Sequence, residues 1–179
     1  GYHGFMARPT DLGDVAERAF YIAGGYKSAM AGEGACFMHC PPGWGLRPRD
    51  TGWYAAFGHL AHAQEGRVGY SSDGWRFMGA TFDPSGLYRF NAVMRWLRQE
   101  GLAPAIIHAH AKALQETFLQ RAPDCALLSQ ARLVVPRDDL RRGNFLTFET
   151  PKAQAIHRAL QDQHVVTDVR GDRLRLGFG

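Results

Sequence analysis

The chain has 179 residues, 45% of them hydrophobic, with 11 Phe, 6 Tyr and 4 Trp, and a net charge of +4. A core can form, and no run of about 18 apolar residues exists to cross a bilayer, so a helical membrane span, a collagen-like chain and a wholly disordered chain are excluded. The positive excess is small and scattered and marks no nucleic-acid surface; among the 21 basic residues only Lys27, Lys112 and Lys152 are lysines.

Three cysteines, Cys36, Cys40 and Cys125, are an odd number without framework spacing. They fit a reducing, cytoplasmic compartment better than a disulfide-stapled secreted domain. The sequence opens GYHGFMARP without an initiator Met and closes RLRLGFG on an apolar alternation, so it reads as a piece of something longer. Thr10 as a cap, acids in the first turn and Leu12, Val15, Ala16 and Ala19 at helical spacing predict a short helix over 10–20. Phe20–Ala23 and Ala35–Cys40 read as two short strands flanked by glycines, joined by a Gly/Ala/Ser-rich hinge that carries one lysine. Residues 41–52 are loop by their Pro and Gly content, and 53–82 hold little regular pattern. From Pro84 a helical stripe of Leu87, Phe90, Val93, Met94 and Leu97 ends at Gly101, a C-cap. A second helix starts near Pro104, tolerated in a first turn. The end reads βαββ: strand Asn144–Glu149, helix Pro151–Gln163, strand Val165–Val169 and strand Arg173–Phe178, the last two joined at Gly171-Asp172.

Lys112 and Lys152 fall in amphipathic helices, where a solvated lysine needs no explanation. Lys27 differs: Gly24, Gly25 and Tyr26 precede it, and Ser28-Ala-Met-Ala-Gly-Glu-Gly follows. A long charged side chain among small residues finds a recess. There it loses hydration, which favours the neutral amine, the form that adds to an aldehyde. Flanking glycines let the backbone pass close to a bulky ligand. The competing reading is a loop lysine that caps a helix C-terminus or pairs with Glu33.

The run Tyr2-His3 … Gly25-Tyr26-Lys27-Ser28 … Gly32-Glu33-Gly34 resembles the fold-type I pyridoxal phosphate (PLP) enzymes of the class V aminotransferase family, and within it the kynureninase-like branch. Thr51-Gly52-Trp53-Tyr54, then Arg76-Phe77 leading to Gly79-Ala80-Thr81, and a closing V-x-x-D-x-R … L-R-x-G (Val165, Asp168, Arg170, Leu174, Arg175, Gly177) follow in family order, over nearly the whole chain. The resemblance implies an α/β fold, with 1–82 the C-terminal part of the PLP-binding large parallel-sheet domain and 83–179 a small C-terminal domain. It implies that Lys27 carries the cofactor aldehyde as a Schiff base and, once freed, moves protons at the substrate α-carbon. Tyr26 would bond the cofactor phosphate and His3 would lie beside the pyridine ring. Trp53 and Thr81 would contact phosphate or substrate across a homodimer interface. Arg175 would pair with the α-carboxylate of an amino-acid substrate, where a planar fork suits a planar anion.

The departures set expectations too. The family's pyridinium-pairing Asp stands three residues before His3, ahead of Gly1, and the phosphate-cradling turn and ring-stacking aromatic belong further upstream. The family's Leu-Asn after the Tyr-Lys run is replaced by Ala29-Met30. The expected site is therefore incomplete, and this chain alone is expected to bind cofactor weakly or not at all and to be inactive in isolation.

Other constellations read as ordinary. Cys36 and Cys40, four apart in a strand, are about 13 Å apart at roughly 3.3 Å per residue, too far to share one zinc, and are read as buried small hydrophobes. Cys125, in RAPDCALL at a helix-to-strand turn, is set against the nucleophile of a cysteine desulfurase. His108 and His110 diverge on a helix, and His59 and His62 lack an acidic partner; no metal is expected. Arg137, Arg141 and Arg142 with Asp138 and Asp139 read as a solvated mixed-charge loop, and Arg170 and Arg173 as solvent-facing. The expected function is a PLP-dependent reaction on an amino acid, either kynureninase-type Cβ–Cγ hydrolysis of a 3-acylalanine or transamination. The rival is a non-catalytic remnant kept for interaction or dimerisation. Neither nucleic acid nor membrane is an expected partner.

Overall fold

A computed structural model describes residues 1–61, 66, 69–139 and 142–179. The chain divides into two compact units. The first holds Gly1–Tyr2 and Asp11–Arg95, the second His3–Thr10 and Trp96–Gly179.

The first unit is built on a two-stranded antiparallel hairpin, β1 (Tyr21–Gly24) and β2 (Cys36–His39), with Tyr21 opposite His39 and Gly24 opposite Cys36. The expected helix over 10–20 is only a 3₁₀ turn, Gly13–Glu17. Gly13 enters with φ +44, and Thr10 spends its hydroxyl on the Arg8 carbonyl at 3.4 Å instead of capping. Two further 3₁₀ stretches, Trp53–His59 and Gly74–Phe77, fall where little pattern is legible. Asp73 caps the second by accepting from the Trp75 N–H at 3.0 Å. α1 (Ser85–Gln99) begins in this unit. The unit's buried apolar residues include Ala23, Ala29, Ala31, Ala35, Ala55 and Ala56, with Pro41. With side chains this small, backbone segments approach each other directly.

In the second unit α2 (Pro104–Arg121) and α3 (Ala153–Asp162) accompany an antiparallel sheet of order β3-β4-β6-β5. The strands are β3 (Arg132–Leu133), β4 (Phe145–Glu149), β5 (Asp168–Arg170) and β6 (Arg173–Gly177). The βαββ order holds for β4-α3-β5-β6, but β5 starts at Asp168 rather than at the expected Val165; β3, two residues long, adds an edge. Gly171 turns β5 into β6 at φ +60, a left-handed conformation that glycine adopts freely. Alternation sorts the sheet. Leu146, Phe148 and Leu174 are buried with Ala153 and Ile156, and Leu160, Val169 and Leu176 pack beside them. Gly101 ends α1 with φ +69, and the Leu102 N–H reaches the Leu97 carbonyl at 2.8 Å, a Schellman-type closure. No described helix is long and apolar enough to cross a membrane.

Two exposure readings are corrected here. Cys36 is exposed and Cys40 half-buried, because a hairpin of only two strands leaves one face open. Arg142 is buried rather than solvated.

Candidate functional site

Lys27 lies in the connection between β1 and β2, and that connection is rigidly built. The Met30 N–H donates to the Lys27 carbonyl and the Ala31 N–H to the Gly25 carbonyl, both at 2.8 Å. From outside, Arg89 of α1 donates through Nε to the Ala31 carbonyl at 2.6 Å and through Nη2 to the Glu33 carbonyl. A Cβ on Gly86 would lie 2.6 Å from the Gly34 carbonyl carbon, and one on Gly25 2.7 Å from the Phe90 ring. Glycine at these positions is what lets α1 clamp the loop. Arg89 carried no sequence signal beyond one more arginine on a helix; its partners are backbone carbonyls 56 and 58 residues away.

The Lys27 side chain is half-buried, and its Nζ sits 4.9 Å from the centroid of the exposed Tyr26 ring. Neither Glu33 nor any other described acid forms an ion pair with it. Trp53, exposed, opens the 3₁₀ stretch Trp53–His59 and lies against Tyr54 at 5.2 Å and Phe57 at 5.9 Å between centroids. The fold brings two separate sequence motifs together there. The Thr51 hydroxyl reaches the Arg76 and Met78 carbonyls at 3.1 and 3.3 Å, and a Cβ on Gly52 would lie 1.9 Å from the Gly79 carbonyl oxygen. Thr81 is exposed just beyond. Arg76, a motif residue without an assigned role in the sequence, is buried as a tie. Its guanidinium donates to the Trp44 and Gly45 carbonyls, each at 3.0 Å, and to the Ser72 and Asp73 carbonyls at 3.3 and 2.6 Å.

His3 and Arg175 belong to the second unit. His3 is exposed. Arg175 stands on β6 between Thr147 of β4 and Asp168 of β5. It forms an ion pair with Asp168 and lies 5.1 Å over the Phe145 ring. These residues, with Arg170, Asp172 and Arg173, line an open recess of about 410 Å³. Arg175 is thus fixed on a central strand, not on a free edge. Arg170 and Arg173 are exposed as read, each 3.5 Å from a carboxylate, Asp168 and Glu149 respectively. Arg132 holds the Glu149 carboxyl below the usual carboxylate range, against a small opposing effect of burial, with Arg173 adding to the lowering.

The other face of the same sheet is apolar. Leu174, Leu176 and Phe178, with Phe118 of α2 and Ile156 of α3, line a cavity of about 730 Å³, and Cys125 sits in its wall. Neighbouring residues on a strand point to opposite faces, so Cys125 and Arg175 serve different faces of the sheet. Beside α2, Arg142 donates to Gln115 Oε1 at 2.9 Å, to Glu116 Oε1 at 2.8 Å and to the Arg137 carbonyl. The Arg142 bond lowers the Glu116 pKa, while burial first and the Arg142 charge second push the Lys112 ammonium down. Lys112 is therefore not the freely solvated helix lysine the sequence suggests. Among the described residues no group of three or more His, Cys, Asp and Glu is placed to hold a metal; His62 and Arg141 lie outside the described residues.

Comparison with known proteins places these features. Residues 107–179 match the family model of the kynureninase C-terminal domain. The kynureninase of Pseudomonas fluorescens is 28% identical over 98% of this chain. The apo cysteine desulfurase of Thermococcus onnurineus NA1 superposes on 99% of the chain with a TM-score of 0.78 at 13% identity. A C-DES mutant with glycine covalently linked to its PLP cofactor covers 97% with a TM-score of 0.62 at 18% identity. The chain spans 42% of that kynureninase and 46% and 44% of those two structures. It has the α/β fold of the C-terminal portion of PLP-dependent transferase structures, and it is similar to the class V, kynureninase-like branch.

Proposed function

We propose that this chain is the C-terminal part of a PLP-dependent enzyme acting on an amino acid, with kynureninase-type hydrolysis of the Cβ–Cγ bond of a 3-acylalanine as the reaction and transamination as its nearest rival. In this reading 1–82 end the cofactor-holding domain and 83–179 form the small C-terminal domain. One observation carries it. Lys27 is a half-buried primary amine with no ion-pair partner among the described residues, on a connection that α1 holds still. The donor set fits the cofactor: an amine for its aldehyde, and the Tyr26 phenol and Thr81 hydroxyl as donors for its phosphate.

When bound, the cofactor withdraws electrons from the substrate α-carbon. The chain's own residues supply the rest. Lys27, once its amine is free, takes and returns the proton at that carbon. Arg175 binds the substrate carboxylate, held in its cross-strand position by Asp168 and Phe145, so little side-chain freedom is lost on binding. Tyr26 and Thr81 bind the phosphate, and Trp53 and His3 give aromatic surface to ring or substrate. A homodimer is the assembly this reading expects. The apolar cavity beside Cys125 speaks against a desulfurase reading, since a persulfide carrier would have to work from the face opposite Arg175.

The test uses the small number of lysines. The chain is incubated with PLP, reduced with borohydride and mapped by mass spectrometry. Lys27 is expected to be modified ahead of Lys112 and Lys152, and an absorbance band formed on adding PLP should vanish in Lys27→Ala. Lys27 modified no faster than the other two lysines would overturn the enzyme reading in favour of a non-catalytic remnant.

A further inference from the structure

Lys27 does not rest on its own loop alone. Its ammonium lies over Tyr26, and the Tyr26 ring packs against Tyr2 at 5.4 Å with the planes tilted by 54°. Tyr2 is in turn tied down at its far end, where its hydroxyl donates to Cys36 Sγ at 3.3 Å. Cys36 faces Gly24 across the hairpin, and a Cβ on Gly24 would lie 2.7 Å from the Tyr2 ring and 3.0 Å from Cys36 Sγ. The Tyr2 ring is therefore seated on bare backbone, one end against the hairpin and one flank against Tyr26. The four residues form a line, Cys36 to Tyr2 to Tyr26 to Lys27, all within the first unit. The Cys36 contact also holds the Tyr2 phenol above its usual range, as expected of a hydroxyl whose proton is engaged as a donor.

We infer that Tyr2 is a positioning residue for Lys27, acting through Tyr26 and anchored by Cys36. The inference rests on the proposed role of Lys27. Tyr26 is 42% exposed, so without Tyr2 its ring has open rotamers, and the surface beneath the Lys27 amine moves with it. Tyr2 opens the run that carries the family resemblance but has no role assigned there, Cys36 belongs to no motif, and only the fold connects the two with the Tyr26-Lys27 pair.

The experiment measures the rate of PLP incorporation at Lys27, trapped by borohydride and read by peptide mass spectrometry, with Lys112 and Lys152 of the same molecule as internal references. Tyr2→Leu removes ring and hydroxyl and should slow Lys27 about tenfold while leaving the reference lysines unchanged, since attack rates are sensitive to misplacement of the attacking group. Tyr2→Phe keeps the ring and loses only the anchor; it should recover most of the rate. An independent readout is the reaction of Cys36 with an aromatic disulfide reagent, mapped apart from Cys40 and Cys125. It should quicken in Tyr2→Phe, because no hydroxyl then lies on the sulfur. Lys27 labelled at the parent rate in Tyr2→Leu, or a Cys36 rate unchanged in Tyr2→Phe, overturns the inference while leaving Lys27 as the reactive amine. Lys27 unreactive in the parent chain overturns the proposed function, and this inference with it.

Discussion

Met30 adopts φ +53 at the position where the resembling family carries Asn. The left-handed region costs an ordinary side chain roughly 1–2 kcal/mol through crowding of Cβ against the following carbonyl, and Asn much less. Met30 is 71% exposed, so its removal sacrifices little buried apolar area. At about 25 cal/mol per Å², the loss stays within a few tenths of a kcal/mol. The backbone term therefore wins, and Met30→Asn should stabilise the first unit by about 0.5–1 kcal/mol. Urea unfolding followed by tryptophan fluorescence measures it, since all four tryptophans except Trp96 lie in that unit. The same variant should protect the Ala31 amide, which bonds to Gly25, in hydrogen exchange. A midpoint unchanged or lowered, with Ala31 exchange no slower, would refute the claim that this connection is strained at Met30.

Four further outcomes follow from the geometry. Arg175→Met should cost only about 1 kcal/mol in stability, because Arg175 and Asp168 are 33% and 42% exposed and such pairs are weak. It should nevertheless weaken acetate or L-alanine binding, read as shifts of the Phe145 and Thr147 signals in NMR titration, by about 10–100-fold; equal binding by parent and variant counts against a carboxylate site. Gly86→Ala should destabilise despite a gain of roughly 1 kcal/mol in helix propensity, because its Cβ meets Gly34 backbone at 2.6 Å; a raised thermal midpoint contradicts this. Arg142→Met strands the fully buried Gln115 Oε1 and should cost about 2–4 kcal/mol in urea unfolding. Finally, the Glu116 and Glu149 pKa values are lowered by Arg142 and Arg132. Their stabilisation is present above the unfolded value of 4.5 and is lost as pH falls through the lower folded values. Acid titration of stability should therefore flatten in Glu116→Gln/Glu149→Gln.

From Pro84 onward, where the helical pattern is sustained, the structure follows it; over 10–20, where it is short, it does not. Phe90, Val93, Met94 and Leu97 face inward on α1 while Leu87, in the first turn, is 38% exposed. Pro104 begins α2 and Gly101 closes α1. What escaped was non-local. β3 is two residues that become a strand only because Phe148 and Glu149 are there to pair with. Arg142 reads as one of several loop charges until Gln115 and Glu116, 27 and 26 residues away, enclose it. Within the candidate site, the Lys27–Tyr26 contact follows from adjacency and the face that Arg175 occupies from strand alternation, while the roles proposed for all three come from the resemblance. The partners of Arg89, Tyr2 and Cys36 are not legible, because the fold chooses them, and Arg89 and Tyr2 bond to backbone and to sulfur, for which no residue type is a marker.

The β4–β6 pairing shows how a short segment serves two purposes. Residues 173–177 send Leu174 and Leu176 into the apolar side and Arg173 and Arg175 to the opposite side. A one-residue slip would exchange them completely. Three constraints prevent that slip: Asp168 opposite Arg175 on one flank, Phe148 opposite Leu174 on the other, and the Gly171 turn between β5 and β6. The ion pair thus has a second consequence beside orienting the guanidinium. In a register slipped against β4 the β5–β6 hairpin would carry Asp168 and Arg175 together into the apolar cavity, a penalty of several kcal/mol. The exposed pair adds little to stability in the correct register, yet it penalises the incorrect one heavily, and the position of Arg175 on the open recess is specified by that difference.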